Sequence, residues 1–226
     1  MRLPVLGLLL VMFATVAAPA RAGDDENKLA ENAVRVLREV MEAPDSAIPK
    51  DLLQNAHAIA VVPDVIKAGF VVGGRHGVGL VAVKTRDGTW SNPSFVSLTG
   101  GSIGFQAGVS STDVILVFRT QRGVDSIVHG KFTLGADASA AAGPVGRSAQ
   151  AATDAQLKAE IYSYSRARGL FAGASLDGSA LTIDNDANQT VYGQGVTARR
   201  VFEGGVSNVP NQVVDFRDRL EEYTSH

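Results

Sequence analysis

The chain of 226 residues contains no cysteine, and this absence limits the chemistry open to it. Disulfides, a thiolate nucleophile and cysteine-ligated metal sites are all excluded. A lipid attached to a cysteine behind an export signal is excluded as well, so we do not expect a lipoprotein. Aromatic residues make up only 6% of the sequence. The core must therefore be built mainly from aliphatic and small side chains.

A strong positive net charge is also absent, because the sequence has 21 Lys and Arg residues and 23 Asp and Glu residues. Domains that bind nucleic acid are usually strongly basic, so we expect no nucleic-acid partner. Two glycine-rich stretches, 73–79 and 100–108, lack the Gly-Lys-Ser/Thr ending of a phosphate loop. Neither is followed by a helix whose N-terminus could receive a phosphate, so nucleotide binding is not expected either.

Catalytic and metal-binding patterns are missing from the polar residues. The serines show no Gly-x-Ser-x-Gly motif, and His57, His76 and His129 lack the spacing of zinc ligands. The segment 184–188 begins like a calcium loop, but Gln189 stands where such a loop needs glycine. An N-cap at the start of a helix explains this segment better. We predict no catalytic residue, no metal and no cofactor.

The one long hydrophobic run lies near the start, from Leu3 to Ala18 behind Arg2. It has about 16 apolar residues, fewer than the ~20 that span a bilayer, and it ends at a small-x-small motif. This pattern predicts a signal peptide over residues 1–22, cleaved between Ala22 and Gly23. We therefore expect an exported protein, periplasmic or associated with the envelope, with no transmembrane helix in the mature chain.

Helical periodicity marks the two ends of the mature chain. Apolar residues at three-and-four spacing predict a helix from Asp24 to Ala43, stopped by Pro44, and a short helix begins near Ile48. A final stripe from Val213 to Tyr223 predicts a C-terminal helix. We divide the chain into a helical segment at 23–47, a central domain at 48–193 and a second helical segment at 194–226.

Strand signals fill the central domain. Short runs rich in β-branched and aromatic residues predict strands at Ala58 to Val62 (ended by Pro63), Gly79 to Lys84, Ser94 to Leu98, Ser102 to Val109, Asp113 to Arg119 and Ala159 to Arg166. Glycines alternate within the Ser102 to Val109 run, which indicates a sharp bend or a close backbone approach. Long helices do not alternate with these strands. We predict an α+β fold: a strongly curved, mainly antiparallel sheet or partial barrel flanked by N- and C-terminal helices.

Six cations stand in uncharged, glycine-rich surroundings: Lys67, Arg75, Lys131, Arg147, Arg166 and Arg168. If the fold gathers them on one surface, they could hold phosphate groups or anionic lipid head groups. If it scatters them, they are solvated side chains or ion-pair partners of Asp113, Asp137 and Asp154. The sequence leaves both interpretations open.

Five ordered blocks of the sequence together resemble a known family. The blocks are Ala58-Ile59-Ala60-Val61-Val62-Pro63 continuing to Gly73-Gly74-Arg75, Trp90-Ser91-x-Pro93-x-Phe95, Gly100-Gly101-Ser102-x-Gly104-x-Gln106-x-Gly108, Gly135-Ala136-Asp137-Ala138-Ser139 continuing to Gly146-Arg147, and Tyr162-Ser163-x-Ser165 continuing to Gly169-Leu170-Phe171-Ala172-Gly173. They resemble the SYLF lipid-binding domain over roughly Ile48 to Gly193, in what looks like an exported bacterial branch related to the actin-regulator family of fungi and animals.

The resemblance implies a domain without catalytic activity that binds anionic lipids. Export would remove the actin and cytosolic phosphoinositide partners of the eukaryotic relatives. We therefore expect a lipid-binding protein of the periplasm or cell envelope whose basic patch recognises anionic phospholipids or a membrane surface. The alternative is an envelope scaffold protein whose partner is another protein. A third hypothesis is an envelope hydrolase built around one of the histidines.

Overall fold

The computed structural model describes residues 23–43, 48–70, 72–103, 108–129, 131–145, 158–167 and 170–225. The predicted signal peptide, and with it Ala22 of the cleavage site, lies outside the described residues. Arg147 and Arg168, two of the six predicted lipid-binding cations, also lie outside them. The boundaries proposed at residues 47 and 193 stay predictions.

Helices occupy both ends of the chain and a few connections within it. Their bounds are α1 Asp24–Glu42, α2 Lys50–Gln54, α3 Gln121–Val128, α4 Asn185–Tyr192, α5 Ala198–Phe202 and α6 Asn211–Thr224. The predicted N-cap is confirmed, because the Asp184 carboxylate accepts a hydrogen bond of 3.0 Å from the backbone N–H of Ala187. Thr120 and Thr197 cap α3 and α5 in the same way.

The described strands form a single sheet. Their bounds are β1 Ala58–Phe70, β2 Val72–Val83, β3 Ser94–Ile103, β4 Gly108–Phe118, β5 Lys131–Thr133, β6 Ala140–Ala142, β7 Ile161–Ala167, β8 Leu170–Gly173 and β9 Ala180–Ile183. The order is β5-β9-β3-β2-β1-β4-β7-β6, and β8 pairs with β7. Every pairing of named strands is antiparallel except β6 with β7. The sheet curls into a half-barrel with helices at both termini, which confirms the predicted fold class.

Pro63 does not end β1, so that prediction was wrong. The strand continues to Phe70 through a bulge, where its register shifts between Val61 and Ile66 against β2 and between Val62 and Val65 against β4. Proline is tolerated at such a point because its missing N–H falls where the hydrogen-bond ladder is already interrupted. The bulge residue Asp64 has a φ of 49°, and its N–H donates to the Asp113 carboxylate at 3.0 Å.

The predicted strand from Ser102 to Val109 is also wrong as a single element. Its first two residues end β3 and its last two begin β4, on opposite sides of the β1–β2 hairpin. Residues 104–107 lie outside the described part of the chain. The alternating glycines therefore belong to the ends of two long strands. The local sequence pattern of two such strand ends is the same as that of one continuous strand.

Hydrophobic layers cover both faces of the sheet. One face of the sheet, which we call the α1 face, packs against α1, α2 and α6. The helices contribute Val36, Leu37, Leu52, Phe216 and Leu220, among others. The opposite face, which we call the α3 face, packs against α3 and α5 through Val124, Ile127 and Phe202. Burying each aliphatic side chain contributes about 1.5–3 kcal/mol, so these two layers hold the sheet in place.

The curvature of the half-barrel depends on bare backbone in β2. Gly73, Gly77 and Gly79 alternate along its α3 face, where the neighbouring strand lies unusually close. A Cβ added at Gly79 would come within 2.2 Å of the Val61 carbonyl oxygen, and one at Gly73 within 2.3 Å of the Ala68 carbonyl oxygen. The close backbone approach inferred from glycines in the sequence thus occurs, but between β1 and β2.

Candidate functional site

Strands β1 to β4 continue past the bulge to form one end of the sheet, which we call the tip: residues 65–70, 72–78, 99–103 and 108–112. No Asp or Glu occurs between residues 65 and 86 or between 88 and 112. The tip does contain Lys67 and Arg75. It is therefore a positively charged end on a chain whose formal net charge is −2.

Lys67 and Arg75 stand directly opposite each other, as Cα partners of β1 and β2. The same row continues to Ser110 on β4 and Gly100 on β3. Directly opposed residues of an antiparallel pair share one face, with Cβ atoms about 4.5–5.5 Å apart. The Lys67/Arg75 pair therefore places two like charges side by side on the α3 face. Such a pair is unfavourable unless an anion compensates it.

Arg75 has hydrogen-bonding capacity that the protein does not use. Its side chain is half-buried, and its buried Nε has no partner among the described residues. Burial lowers the pKa of the guanidinium from its usual value, because desolvation disfavours the charged form. Lys67 is exposed and makes no ion pair within the described chain. A phosphate oxygen could accept from both side chains.

A second unsatisfied group lies beside the pair. The hydroxyl of Ser179 is buried and has no hydrogen-bond partner in the described structure. A Cβ added at Gly100, the β3 residue opposite Arg75, would come within 2.6 Å of that Ser179 oxygen. Two unsatisfied polar groups thus flank the bare backbone of Gly100.

Of the other predicted cations that the structure describes, Arg166 makes its contacts away from this pair. Arg166 forms ion pairs with Glu39 of α1 and with Asp113 at 3.5 Å, and it lies over the Phe171 ring at 5.6 Å. One of the proposed ion-pair partners, Asp113, is thus confirmed. The backbone of Lys131 lies in β5, three strands from β2 in the sheet order. Among those of the six cations that the structure describes, Lys67 and Arg75 are the two that the strand register brings together.

Arg166 and its acidic partners form an attachment between α1 and the sheet. Burial raises the pKa of Asp113, while the N–H of Asp64 and the charge of Arg35 oppose that rise. Glu39 also accepts from Arg35 at 3.2 Å. The acids nearest to the tip along these strands therefore already have partners on the α1 face, away from the Lys67/Arg75 pair.

Sequence reasoning missed the exposed hydrophobic residues of the tip. Ile66 is 53% exposed, Val78 39% and Val109 77%, and all three lie on the α1 face. Leu170, which is 75% exposed, begins β8 close to the same end. Among the described residues these are the large hydrophobic side chains that remain exposed. Ending β1 at Pro63 concealed the alternation of Ile66 with Lys67 that would have revealed them.

The opposite end of the sheet holds a cavity of about 880 Å³. Its lining mixes cations such as Arg86 and Arg199 with acids such as Asp87 and Glu203 around the buried Trp90. Charges of both signs at its wall give no preference for an anion. This end therefore offers weaker anion recognition than the tip does.

The three histidines considered as catalytic candidates lie apart. Within the described structure His57 and His76 make no side-chain hydrogen bond, and His129 Nδ1 contacts the backbone oxygen of Asp125. The described residues contain no group of three His, Asp or Glu side chains that could hold a metal. Among the helices of the described part of the chain, none is both long and apolar enough to cross a membrane.

A curled, mainly antiparallel half-barrel with helices on both faces and a cationic tip defines the class of this domain. The sequence profile of the Ysc84 family, described as "Las17-binding protein actin regulator", matches residues 99–223, more than half of the chain. The chain therefore belongs to the Ysc84 (SYLF) family, as its sequence blocks predicted. The family is described as a regulator, and the description names no enzymatic activity.

Relatives in fungi and animals support the assignment. LAS seventeen-binding protein 3 of Saccharomyces cerevisiae is 39% identical over 169 residues, which is 74% of this chain and 37% of the yeast protein. SH3 domain-containing YSC84-like protein 1 of Bos taurus is 34% identical over 201 residues, which is 86% of this chain and 58% of the bovine protein. The chain thus spans less than two thirds of the length of these relatives.

Proposed function

We propose that this protein binds anionic lipid head groups at a membrane surface and has no catalytic activity. The observation that carries the proposal is the Lys67/Arg75 pair, two adjacent cations on an end of the sheet that contains no acid. A phosphate group would neutralise both charges and satisfy the buried Nε of Arg75. The unpartnered hydroxyl of Ser179 offers a further donor to the same ligand.

The strength of such binding follows from the number of charges. A basic residue close to an anionic membrane contributes about 1 kcal/mol, so two of them give weak, reversible association. Interactions of this kind are screened over a Debye length of ~8 Å at physiological salt. Binding should therefore depend strongly on both lipid charge and ionic strength.

Co-sedimentation with vesicles tests the proposal. The mature chain from Gly23 is expected to pellet with phosphatidylcholine vesicles that contain phosphatidylglycerol, and to stay in solution with phosphatidylcholine alone. Raising the salt from a few millimolar to ~0.15 M should release most of the protein, because the interaction is largely Coulombic. Equal binding to the two vesicle types, or no pelleting even at low salt, would exclude the proposed function.

We further propose that the protein is exported and acts in the periplasm or at the cell envelope. The support is the pattern of residues 1–22, a charged start, an apolar run and a small-x-small ending. Expression of the full chain in a bacterium should yield a periplasmic protein whose N-terminal residue is Gly23. Mass spectrometry of the purified protein measures this directly, and an intact Met1 in the cytoplasmic fraction would contradict it.

A protein-interaction function is the second candidate, and the names of the relatives favour it. The yeast relative is named for binding LAS seventeen, and the family is described by the same property. For this chain the corresponding partner would be another protein of the envelope. A stoichiometric protein partner that stays bound through purification, together with no vesicle binding, would favour this function over lipid binding.

A further inference from the structure

We propose that the tip inserts its α1 face into the lipid bilayer, so that Ile66, Val78 and Val109 reach the boundary between head groups and acyl chains. This inference rests on the proposed lipid-binding function and specifies its geometry. The Lys67/Arg75 pair, on the other face of the same strands, would remain at the level of the phosphates. The four observations below carry the proposal.

The first observation is where exposed hydrophobic surface occurs. Among the described residues, the four large hydrophobic side chains that remain exposed all lie at or beside the tip. Single exposed aliphatic residues scattered over a surface need no explanation, but a group at one end marks an interaction site. The N-terminal part of α1 borders Ile66 and Val78 but leaves both side chains partly exposed.

The second observation is the register that joins these side chains. Ile66 is the Cα partner of His76 on β2 and of Ser111 on β4, and Val109 is the partner of Ala68. Ile66 and Val109 are therefore diagonal neighbours on one face, within reach of each other. Val78 lies two residues from His76 on the same face of β2. The three apolar side chains are therefore neighbours on one face, with the polar His76 and Ser111 directly opposite Ile66.

The third observation is charge complementarity, which selects an anionic membrane as the occupant. Along β1 the apolar Ile66 and Ala68 point to one face, and Lys67 between them points to the other. The strands of the tip contain no carboxylate, and the acids nearest to its apolar residues are Asp25 and Asp64, which line a cavity with Ile66 and Val78. A surface that is apolar on one side and cationic on the other matches the boundary of an anionic bilayer, where both environments lie within a few ångströms.

The fourth observation concerns the backbone, whose polar groups must stay paired in an apolar environment. β1 and β2 are flanked on both sides, by β4 and β3, as far as Gly69 and Val72. The two central strands of the tip therefore have their N–H and C=O groups inside the sheet. The sheet end can enter the interface without leaving these groups unsatisfied.

The absence of cysteine makes a site-specific probe straightforward. The mature chain with Val109→Cys is labelled with the polarity-sensitive dye NBD, and Thr190→Cys, an exposed position on α4, provides the matched control. With phosphatidylglycerol-containing vesicles, the dye at position 109 should shift to the blue and brighten several-fold. It should also be quenched by lipids that carry a spin label near the top of the acyl chain. The dye at position 190 should show neither effect.

The possible outcomes separate this inference from the function on which it rests. If the labelled protein pellets with vesicles but the dye at position 109 keeps its aqueous spectrum, insertion is wrong while lipid binding stands. A blue shift that grows with protein concentration in the absence of vesicles would assign this face to a second copy of the chain and overturn the inference. If neither labelled nor unlabelled protein pellets with anionic vesicles, the proposed function and the inference both fail.

Discussion

Replacing Lys67 and Arg75 together with glutamate is expected to abolish binding to anionic vesicles at low salt. The double substitution changes the charge of the tip by four, and at about 1 kcal/mol per charge this corresponds to a loss on the order of a thousandfold in affinity. The tip contains no other Lys or Arg and would then repel the membrane. Co-sedimentation at several lipid concentrations measures the effect. Lys67→Gln with Arg75→Gln, which removes charge without reversing it, should give a smaller loss.

The control for this prediction keeps the same total charge. Arg86→Glu with Arg199→Glu changes two exposed cations at the opposite end of the sheet. This variant should bind vesicles nearly as well as the unmodified protein, because its altered charges lie far from the tip. Thermal unfolding of both variants checks that they are folded. Equal loss of binding in the two variants would show that net charge matters and that the tip has no special role.

Replacing Gly79 with valine is expected to unfold the protein or to lower its free energy of unfolding by more than ~3 kcal/mol. A Cβ at this position would lie 2.2 Å from the Val61 carbonyl oxygen and 2.7 Å from the Val62 Cα. Both atoms belong to the backbone of β1, so relief requires the two central strands to separate. Urea denaturation followed by circular dichroism gives the change in the free energy of unfolding. Gly79→Ala, with a smaller side chain but the same clash, should also be strongly destabilised.

Gly101 on β3 provides the matched control for this substitution. A Cβ built there meets no atom within 4 Å, and the residue has no positive φ. Gly101→Ala should therefore change the free energy of unfolding by no more than about 0.5 kcal/mol. Similar denaturation midpoints for Gly79→Ala and Gly101→Ala would mean that the backbones of β1 and β2 do not approach as closely as described.

Local periodicity was sufficient to predict the two terminal helices and the class of fold, whereas α3 was not predicted. The apolar stripes of α1 and α6 repeat at the spacing of a helix, and the structure buries Val36, Leu37, Phe216 and Leu220 from them. The short β-branched runs, with no long helices alternating between them, likewise indicated a mainly antiparallel sheet. These features depend on neighbours in the sequence, so they can be recognised without knowledge of the remaining contacts.

The bounds of the long strands could not be predicted in this way. Proline usually ends a strand, and Pro63 does not, because the bulge around Asp64 removes the need for its missing N–H. The bulge is held by a hydrogen bond from Asp64 to Asp113, 49 residues later in the chain. A contact over that separation leaves no mark in the local sequence.

The sequence allowed us to predict which cations could belong to the site, but not which of them lie next to each other in the fold. Lys67 and Arg75 were expected to act with four other cations, yet which of the six meet is decided by strand order and register. Arg166 has the same local surroundings of small and polar residues, but the fold places it against Glu39 and Asp113. The partners of a cation therefore follow from tertiary contacts.

The bulge in β1 determines which side chains of the tip lie on the α1 face and which lie on the α3 face. Before it, Val61 faces Leu80, and beyond it Lys67 faces Arg75, so β1 contains one residue more than its partner over this stretch. In an uninterrupted ladder Lys67 would point to the α1 face and Ile66 would stand opposite Arg75. The separation of charge from apolar surface is thus set by the bulge, which accommodates the extra residue of β1. If the ladder ran through this stretch without a bulge, the same sequence would exchange the two surfaces along β1.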